Sequence, residues 1–221
     1  MHRKSHLEER LSACSEILTV SDLAEKNMKT AAGKKDYLDF AAIFSNANPV
    51  HLEIGCGKGG FICALAEREK DVNFIAVEKI SNVLIEGAER AKEEGLKNVH
   101  FLNSAAEVLP RYIAPESIEK IYLNFSNPLP KMGYVKQRLT HPRFLEIYRT
   151  LLKPRGVIVQ KTDDRDFYEF SLESFKECGF EIEEECLDLA ALSDPENIIT
   201  EHEKRFMEEG KKIYRLVVRS R

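Results

Sequence analysis

At 221 residues, 43% of them hydrophobic and 32% charged, the chain is long enough to bury a core as one domain or one domain with an extension, and it reads as globular. No apolar run nears the ~20 residues of a membrane span, and Met1-His2-Arg3-Lys4-Ser5-His6 leads into a charged segment without an apolar signal core. Neither membrane insertion nor export is therefore expected, and the location expected is the cytoplasm. Five cysteines, with no Cys-x-x-Cys, and six histidines at no metal-ligand spacing argue against a disulfide frame and against a metal site.

Residues 1–48 are expected to form an N-terminal extension, with one helix suggested by Leu7, Leu11, Cys14 and Leu18. From Pro49 the pattern alternates between strand and helix. Strands are expected over 50–54, 73–78, 99–103, 121–125, 157–162, 180–187 and 213–218. Helices are expected over 61–69, 81–94, 105–109, 142–152 and 166–178. That rhythm predicts an α/β domain over 49–221, a mainly parallel sheet with helices on both faces and ligands at the carboxyl ends of the strands.

The first strand breaks into glycines, Val50-His51-Leu52-Glu53-Ile54-Gly55-Cys56-Gly57-Lys58-Gly59-Gly60, and a helix follows. Glycine permits positive φ and close backbone approach, and a helix N-terminus offers unpaired N–H groups, so this turn is a nucleotide-cofactor motif. Glycine spacing fits a dinucleotide and S-adenosylmethionine equally. Glu53 tips the balance, because a carboxylate at the strand end suits an ammonium and a sulfonium and repels a pyrophosphate. Glu78, at the tip of the next strand, stands where both ribose hydroxyls can be taken. A P-loop is excluded, since no Gly-Lys-Ser/Thr follows.

The net charge of −4 hides a strong asymmetry. From Lys131 to Arg155 seven Lys/Arg face one acid, whereas Asp166 to Glu209 holds fifteen acids and three bases. Screening over roughly 8–10 Å lets a basic stripe hold phosphates while another face stays acidic. The stripe begins just after Asn124-Phe125-Ser126-Asn127-Pro128-Leu129-Pro130, where two prolines fix the loop behind the fourth strand and hold Asn127 at the sheet's carboxyl edge. A cofactor motif and a phosphate-binding stripe together predict a methyl acceptor carried on a nucleic acid.

From about residue 44 onward the chain resembles the bacterial tRNA (guanine-N7-)-methyltransferases. The resemblance rests on Leu-Glu-Ile-Gly-Cys-Gly-Lys-Gly at 52–59, Tyr-Leu-Asn-Phe at 122–125, Pro-x-Pro-Lys at 128–131, Lys-Thr-Asp at 161–163, and Thr200-Glu201-His202-Glu203 followed by Phe206, Gly210 and Ile213-Tyr214. It implies a Rossmann-like class I methyltransferase fold, with a mainly parallel seven-stranded sheet whose last strand is antiparallel. It also implies S-adenosylmethionine as cofactor, tRNA as partner through a variable-loop guanine, and a monomer or homodimer.

Carried over by position, the resemblance makes Glu53, Gly55, Gly57, Glu78, Ser104 and Asn127 cofactor contacts and Asn127 the catalytic position. Lys131, Lys136, Arg138, Asp163, Thr200 and Glu203 become substrate contacts. The chain departs from the family at Ser104, where Asp is usual, and at Ser126-Asn127-Pro128-Leu129, where the pattern is Pro-Asp-Pro-Trp. The long basic run of the family is reduced to Met132-Gly133-Tyr134-Val135-Lys136-Gln137-Arg138. Guanine N7 carries an in-plane lone pair and no proton, so attack on a sulfonium methyl needs alignment and no general base. The alternatives are an exocyclic-amine methyltransferase using the Asn-Pro-Leu-Pro loop, a non-catalytic binder of cofactor and RNA, and an oxidoreductase on a dinucleotide. Asp163 and Asp164 also read as caps of the following helix.

Overall fold

β-Branched and aromatic runs bounded by glycine, proline or asparagine become strands in the computed structural model, which describes residues 6–21, 34–192 and 194–221. Contacts divide the chain into two units, Met1–Ala114 and Pro115–Arg221.

The first unit contains α1 (Leu7–Ala13), β1 (Leu18–Val20), α2 (Phe40–Phe44), β2 (Val50–Ile54), α3 (Gly60–Arg68), β3 (Asn73–Val77), α4 (Ser81–Glu93), β4 (Val99–Asn103) and α5 (Leu109–Tyr112). Its strands lie in the order β1-β4-β3-β2 and are all parallel. Every residue of β2, β3 and β4 is buried, as expected where helices cover both faces of a parallel sheet. Phe61, Ile62, Leu65 and Ala66 of α3 and Leu84, Ile85, Ala88 and Ala91 of α4 supply part of that cover.

The stretch ahead of Pro49 departs from its sequence reading. The helix stops at Ala13, and Leu18, assigned by spacing to the same helix, opens a strand instead. Leu18, Thr19 and Val20 pair with Phe101, Leu102 and Asn103 of β4. Two contacts fasten α1 and its exit to α4: Arg10 Nε donates to Glu89 Oε1 at 2.6 Å, and Lys92 Nζ donates to the Ala13 carbonyl at 2.7 Å. The extension thus adds a strand to the expected seven, and its apolar residues are spent on pairing as well as on a helix face.

The second unit contains β5 (Ile118–Asn124), a 3-10 helix (Met132–Gln137), α6 (Pro142–Leu151), β6 (Leu152–Thr162), α7 (Arg165–Glu177), β7 (Glu181–Cys186), α8 (Leu189–Leu192), α9 (Glu201–Glu208) and β8 (Tyr214–Arg219). β5 and β6 are parallel, and β8 enters between β6 and β7 antiparallel to both, which is the reversed last strand that the resemblance implied. β6 begins earlier than expected, because Leu152 already pairs with Ile118. β7 closes this unit's strand order, and its carboxylates are held by the neighbouring strand: Glu184 by Arg215 at 2.8 Å and Glu183 by Arg219.

Candidate functional site

In the first unit the candidate site is the β2–α3 turn. Gly55, Gly57 and Gly59 adopt φ of 83°, 57° and 72°, which a side chain would oppose. The turn is tied to β3 by Gly55 and Cys56, whose N–H groups donate to the Val77 carbonyl at 2.8 and 3.0 Å. Gly55 and Gly57 have a further property: a Cβ built on either would meet nothing within 4 Å, so the ground over these peptides is open. Gly59 is glycine for the opposite reason. A Cβ there would stand 3.0 Å from the Gly87 Cα and 3.3 Å from the Phe101 ring, so α3 and α4 approach only because both positions lack side chains.

Two carboxylates flank the open peptides. Glu53 is 2% exposed in β2. Glu78 accepts from the Gly57 N–H at 3.4 Å and the Ile80 N–H at 2.9 Å, so the backbone holds its side chain. Their field is felt at Cys56, where burial first and then the charges of Glu53 and Glu78 hold the thiol well above its ordinary pKa. A negative potential over open glycine peptides fits a small cationic cofactor such as S-adenosylmethionine and opposes a pyrophosphate. Ser104 is 1% exposed, its hydroxyl turned onto the Ala105 carbonyl at 3.4 Å and its N–H on the Glu78 carbonyl at 3.2 Å. Asn103, which the sequence reading did not single out, is fully buried and joins the ends of β3 and β4. Its Nδ2 donates to the Glu78 carbonyl at 2.8 Å and its Oδ1 accepts from the Ser81 hydroxyl at 2.8 Å.

In the second unit the candidate site is built from the loop behind β5, the end of β6 and the N-terminus of α9. Asn127 is exposed, and its Oδ1 accepts from the Leu129 N–H at 3.0 Å, an Asx turn that leaves the amide NH₂ as its donor group. Phe125 and Leu129 hold φ of 49° and 46°, unusual for residues with side chains and costing about 1 kcal/mol or more each. Asp163 accepts from Lys211 Nζ at 3.1 Å. Asp164 is the helix cap that the sequence allowed, accepting from the Phe167 N–H at 2.7 Å.

Glu203 differs most from its expected place. Instead of presenting an acceptor to a base, it is fully buried: Oε2 accepts from Lys161 Nζ at 2.8 Å and Oε1 from Asn197 Nδ2 at 2.5 Å. Thr200 and Glu203 also cap α9 reciprocally, with the Glu203 N–H donating to the Thr200 hydroxyl at 2.9 Å. Lys161 Nζ further donates to Asn197 Oδ1 and the Ile198 carbonyl, both at 3.0 Å. Sequence reasoning took Lys161 only as part of a motif; a lysine near the end of the strand expected over 157–162, just behind Val157-Ile158-Val159, is the signal that it is held inside by an acid.

Part of the basic stripe is engaged within the chain. Arg138 lies over the Phe170 ring at 4.5 Å and donates to the Leu129 carbonyl at 3.4 Å, so it braces the loop. Arg143 covers Phe144 at 4.3 Å, Arg149 donates to the Cys178 carbonyl, and Lys153 pairs with Glu119 at 3.0 Å. Lys131 and Lys136 remain exposed on and beside the 3-10 helix, and Arg155 is exposed in β6. Among the described residues no group of three or more His, Cys, Asp or Glu could hold a metal ion, and no helix is long and apolar enough to cross a membrane.

A family model described as "Putative methyltransferase" matches residues 47–216. A tRNA (guanine-N(7)-)-methyltransferase of Oceanobacillus iheyensis is 41% identical over 177 residues, covering 80% of this chain and 83% of that protein. A protein of the same description from Alkaliphilus oremlandii is 42% identical over 176 residues, covering 80% and 83%. Among solved structures, an antibiotic-related methyltransferase aligns with a TM-score of 0.62 at 20% identity, covering 91% of this chain and 97% of its own. The 16S rRNA methyltransferase KamB aligns with a TM-score of 0.62 at 14% identity, covering 84% and 94%. At those identities the structural likeness speaks for the fold alone: a Rossmann-like class I methyltransferase fold, its largely parallel sheet flanked by helices.

Proposed function

This chain belongs to the methyltransferase family matched over residues 47–216, within the S-adenosylmethionine-dependent superfamily, and from that premise we propose that it methylates N7 of a guanine in the variable loop of tRNA. The observation that carries the cofactor half is the turn at Gly55 and Gly57, open above and flanked by two carboxylates. The tRNA half draws its support from relatives of that description, 41–42% identical over about four fifths of this chain.

Glu53, Gly55, Gly57, Glu78 and Ser104 would hold the cofactor. When bound, S-adenosylmethionine supplies a methyl group on a sulfonium. This chain's residues bind and orient the acceptor. Asn127, held in its Asx turn by the Leu129 N–H, would orient the cofactor through its side-chain oxygen, a contact that Asp can also make, and leave the N7 lone pair clear. Asp163 retains acceptor capacity beyond Lys211 for guanine N1–H or N2–H₂. Glu203 acts as a positioning residue, holding the Thr200 turn and the segment through Asn197. Lys131 and Lys136 meet phosphates, and Arg138 keeps the Asn127 loop in shape. No side chain need remove a proton from N7, so the contribution of the protein is alignment.

Replacing Asn127 tests this arrangement. Asn127→Asp keeps an acceptor for the Leu129 N–H and adds a charge that favours a sulfonium, so methyl transfer to tRNA should be retained or increased. Loss of transfer in that variant would favour an exocyclic-amine enzyme, and absence of transfer in both proteins would favour a binder without turnover.

A further inference from the structure

His202 stands on the first turn of α9, exposed, beside the capping pair Thr200 and Glu203. Its ring stacks on Phe125 with centroids 6.3 Å apart and planes 18° from parallel, and Phe206 completes a triangle at 5.7 Å from Phe125 and 6.3 Å from His202. Phe206 is itself crossed by two cations, Lys211 Nζ at 4.4 Å and the Arg205 guanidinium at 4.6 Å.

Packing alone does not account for this group. Phe206 sits in a buried cluster with Cys186, Leu189 and Ile213, yet the triangle ends in an exposed imidazole. Phe125 joins it from a left-handed backbone conformation, fixed by donation of its N–H to the Lys161 carbonyl at 2.8 Å. Such conformations persist where surroundings over-determine them, and they concentrate at ligand-holding segments. The same Lys161 holds Glu203 through its side chain, so one residue sets both the Phe125 ring and the α9 turn that carries His202. Asp163 joins the cluster through Lys211. An exposed flat ring stacked on a second ring, with cations over the third ring of the triangle, is an arrangement that can receive an unstacked base, since every base has a π-face and phosphates accompany it.

We propose that His202, backed by Phe125, is a stacking platform for an unstacked RNA base, placed beside Thr200 and Asp163. This rests on the reading of the protein as a tRNA methyltransferase and adds a contact to it, one made by shape and polarisability.

The test compares wild type, His202→Ala and His202→Tyr in steady-state methyl transfer to unmodified tRNA, with S-adenosylmethionine affinity measured separately by calorimetry. Removing the ring should raise KM for tRNA by about tenfold or more, with kcat changed less than about threefold and cofactor affinity unaltered. Tyrosine should restore KM, and His202→Ala should keep the wild-type melting temperature, which a role confined to packing on Phe125 and Phe206 would lower. An unchanged KM in His202→Ala overturns the platform, as does a tyrosine variant no better than alanine. Wild-type transfer is scored first. Its absence would count against the methyltransferase reading, whereas transfer with an unmoved KM overturns the platform alone.

Discussion

Gly55 and Gly59, four residues apart in one turn, do different work, and single substitutions should separate them. At Gly55 the φ of 83° is unfavourable for alanine but no atom lies within 4 Å of its Cβ, so Gly55→Ala should cost about 1–2 kcal/mol of stability and act mainly by filling the cofactor's ground. Gly59→Ala combines a φ of 72° with a Cβ 3.0 Å from backbone, and should cost about 2–4 kcal/mol by forcing α3 from α4. Chemical denaturation and cofactor titration check the pair: Gly55→Ala should lose more affinity than stability, Gly59→Ala more stability. The reverse order would show that the open ground is not where the cofactor rests. This turn was legible in the sequence because positive φ is written as glycine whatever the rest of the chain does. Glu203 was not legible, because its burial is decided by Lys161, 42 positions away. A buried pair of this kind resists loss of either partner by about 3–5 kcal/mol, so the constraint is strong and still leaves no local pattern.

At the scale of elements, alternation of apolar runs and helical spacing found the strands and long helices from Pro49 onward, since burial on both faces repeats a recognisable pattern. Among the described residues five elements escaped: β1, α2, the 3-10 helix, α8 and α9, of which the first and the last are instructive. α9 is announced by its own capping box, Thr200 to Glu203, but charged residues fill its outer face and the run reads as acidic surface. β1 is only three residues long and gains its strand character from β4. That pairing has a pH signature. His100 of β4 is 4% exposed, shares a 2.9 Å hydrogen bond with Thr19, and has its pKa lowered to about 4 by burial. An unfolded histidine titrates near 6.5, so below that value the unfolded chain binds the proton that the folded chain refuses. The stability contribution is complete above about pH 6.5 and is lost progressively as pH falls toward 4, in total about 3 kcal/mol. Thermal melts across that range should show the loss in wild type and a smaller one in His100→Gln. Equal losses in the two proteins would assign the acid sensitivity to other groups.

For the whole molecule, composition misleads where it is read as surface. The seven cations from Lys131 to Arg155 promised a continuous phosphate-binding stripe, yet rings, carbonyls and Glu119 take up Arg138, Arg143, Arg149 and Lys153. Charge counts carry no information on partners, and an arginine over an aromatic ring looks the same in sequence as one facing water. The motifs are taken up inside the chain as well: Lys161 at the end of β6 holds Glu203, and Thr200 with Glu203 caps α9. What those positions propose is a single reaction at one atom of one base. Incubating the protein with methyl-labelled S-adenosylmethionine and unmodified tRNA, then locating the label, tests that proposal most directly. The account predicts label on N7 of a variable-loop guanine. Label on an exocyclic amine, or RNA that binds and stays unlabelled, would contradict it.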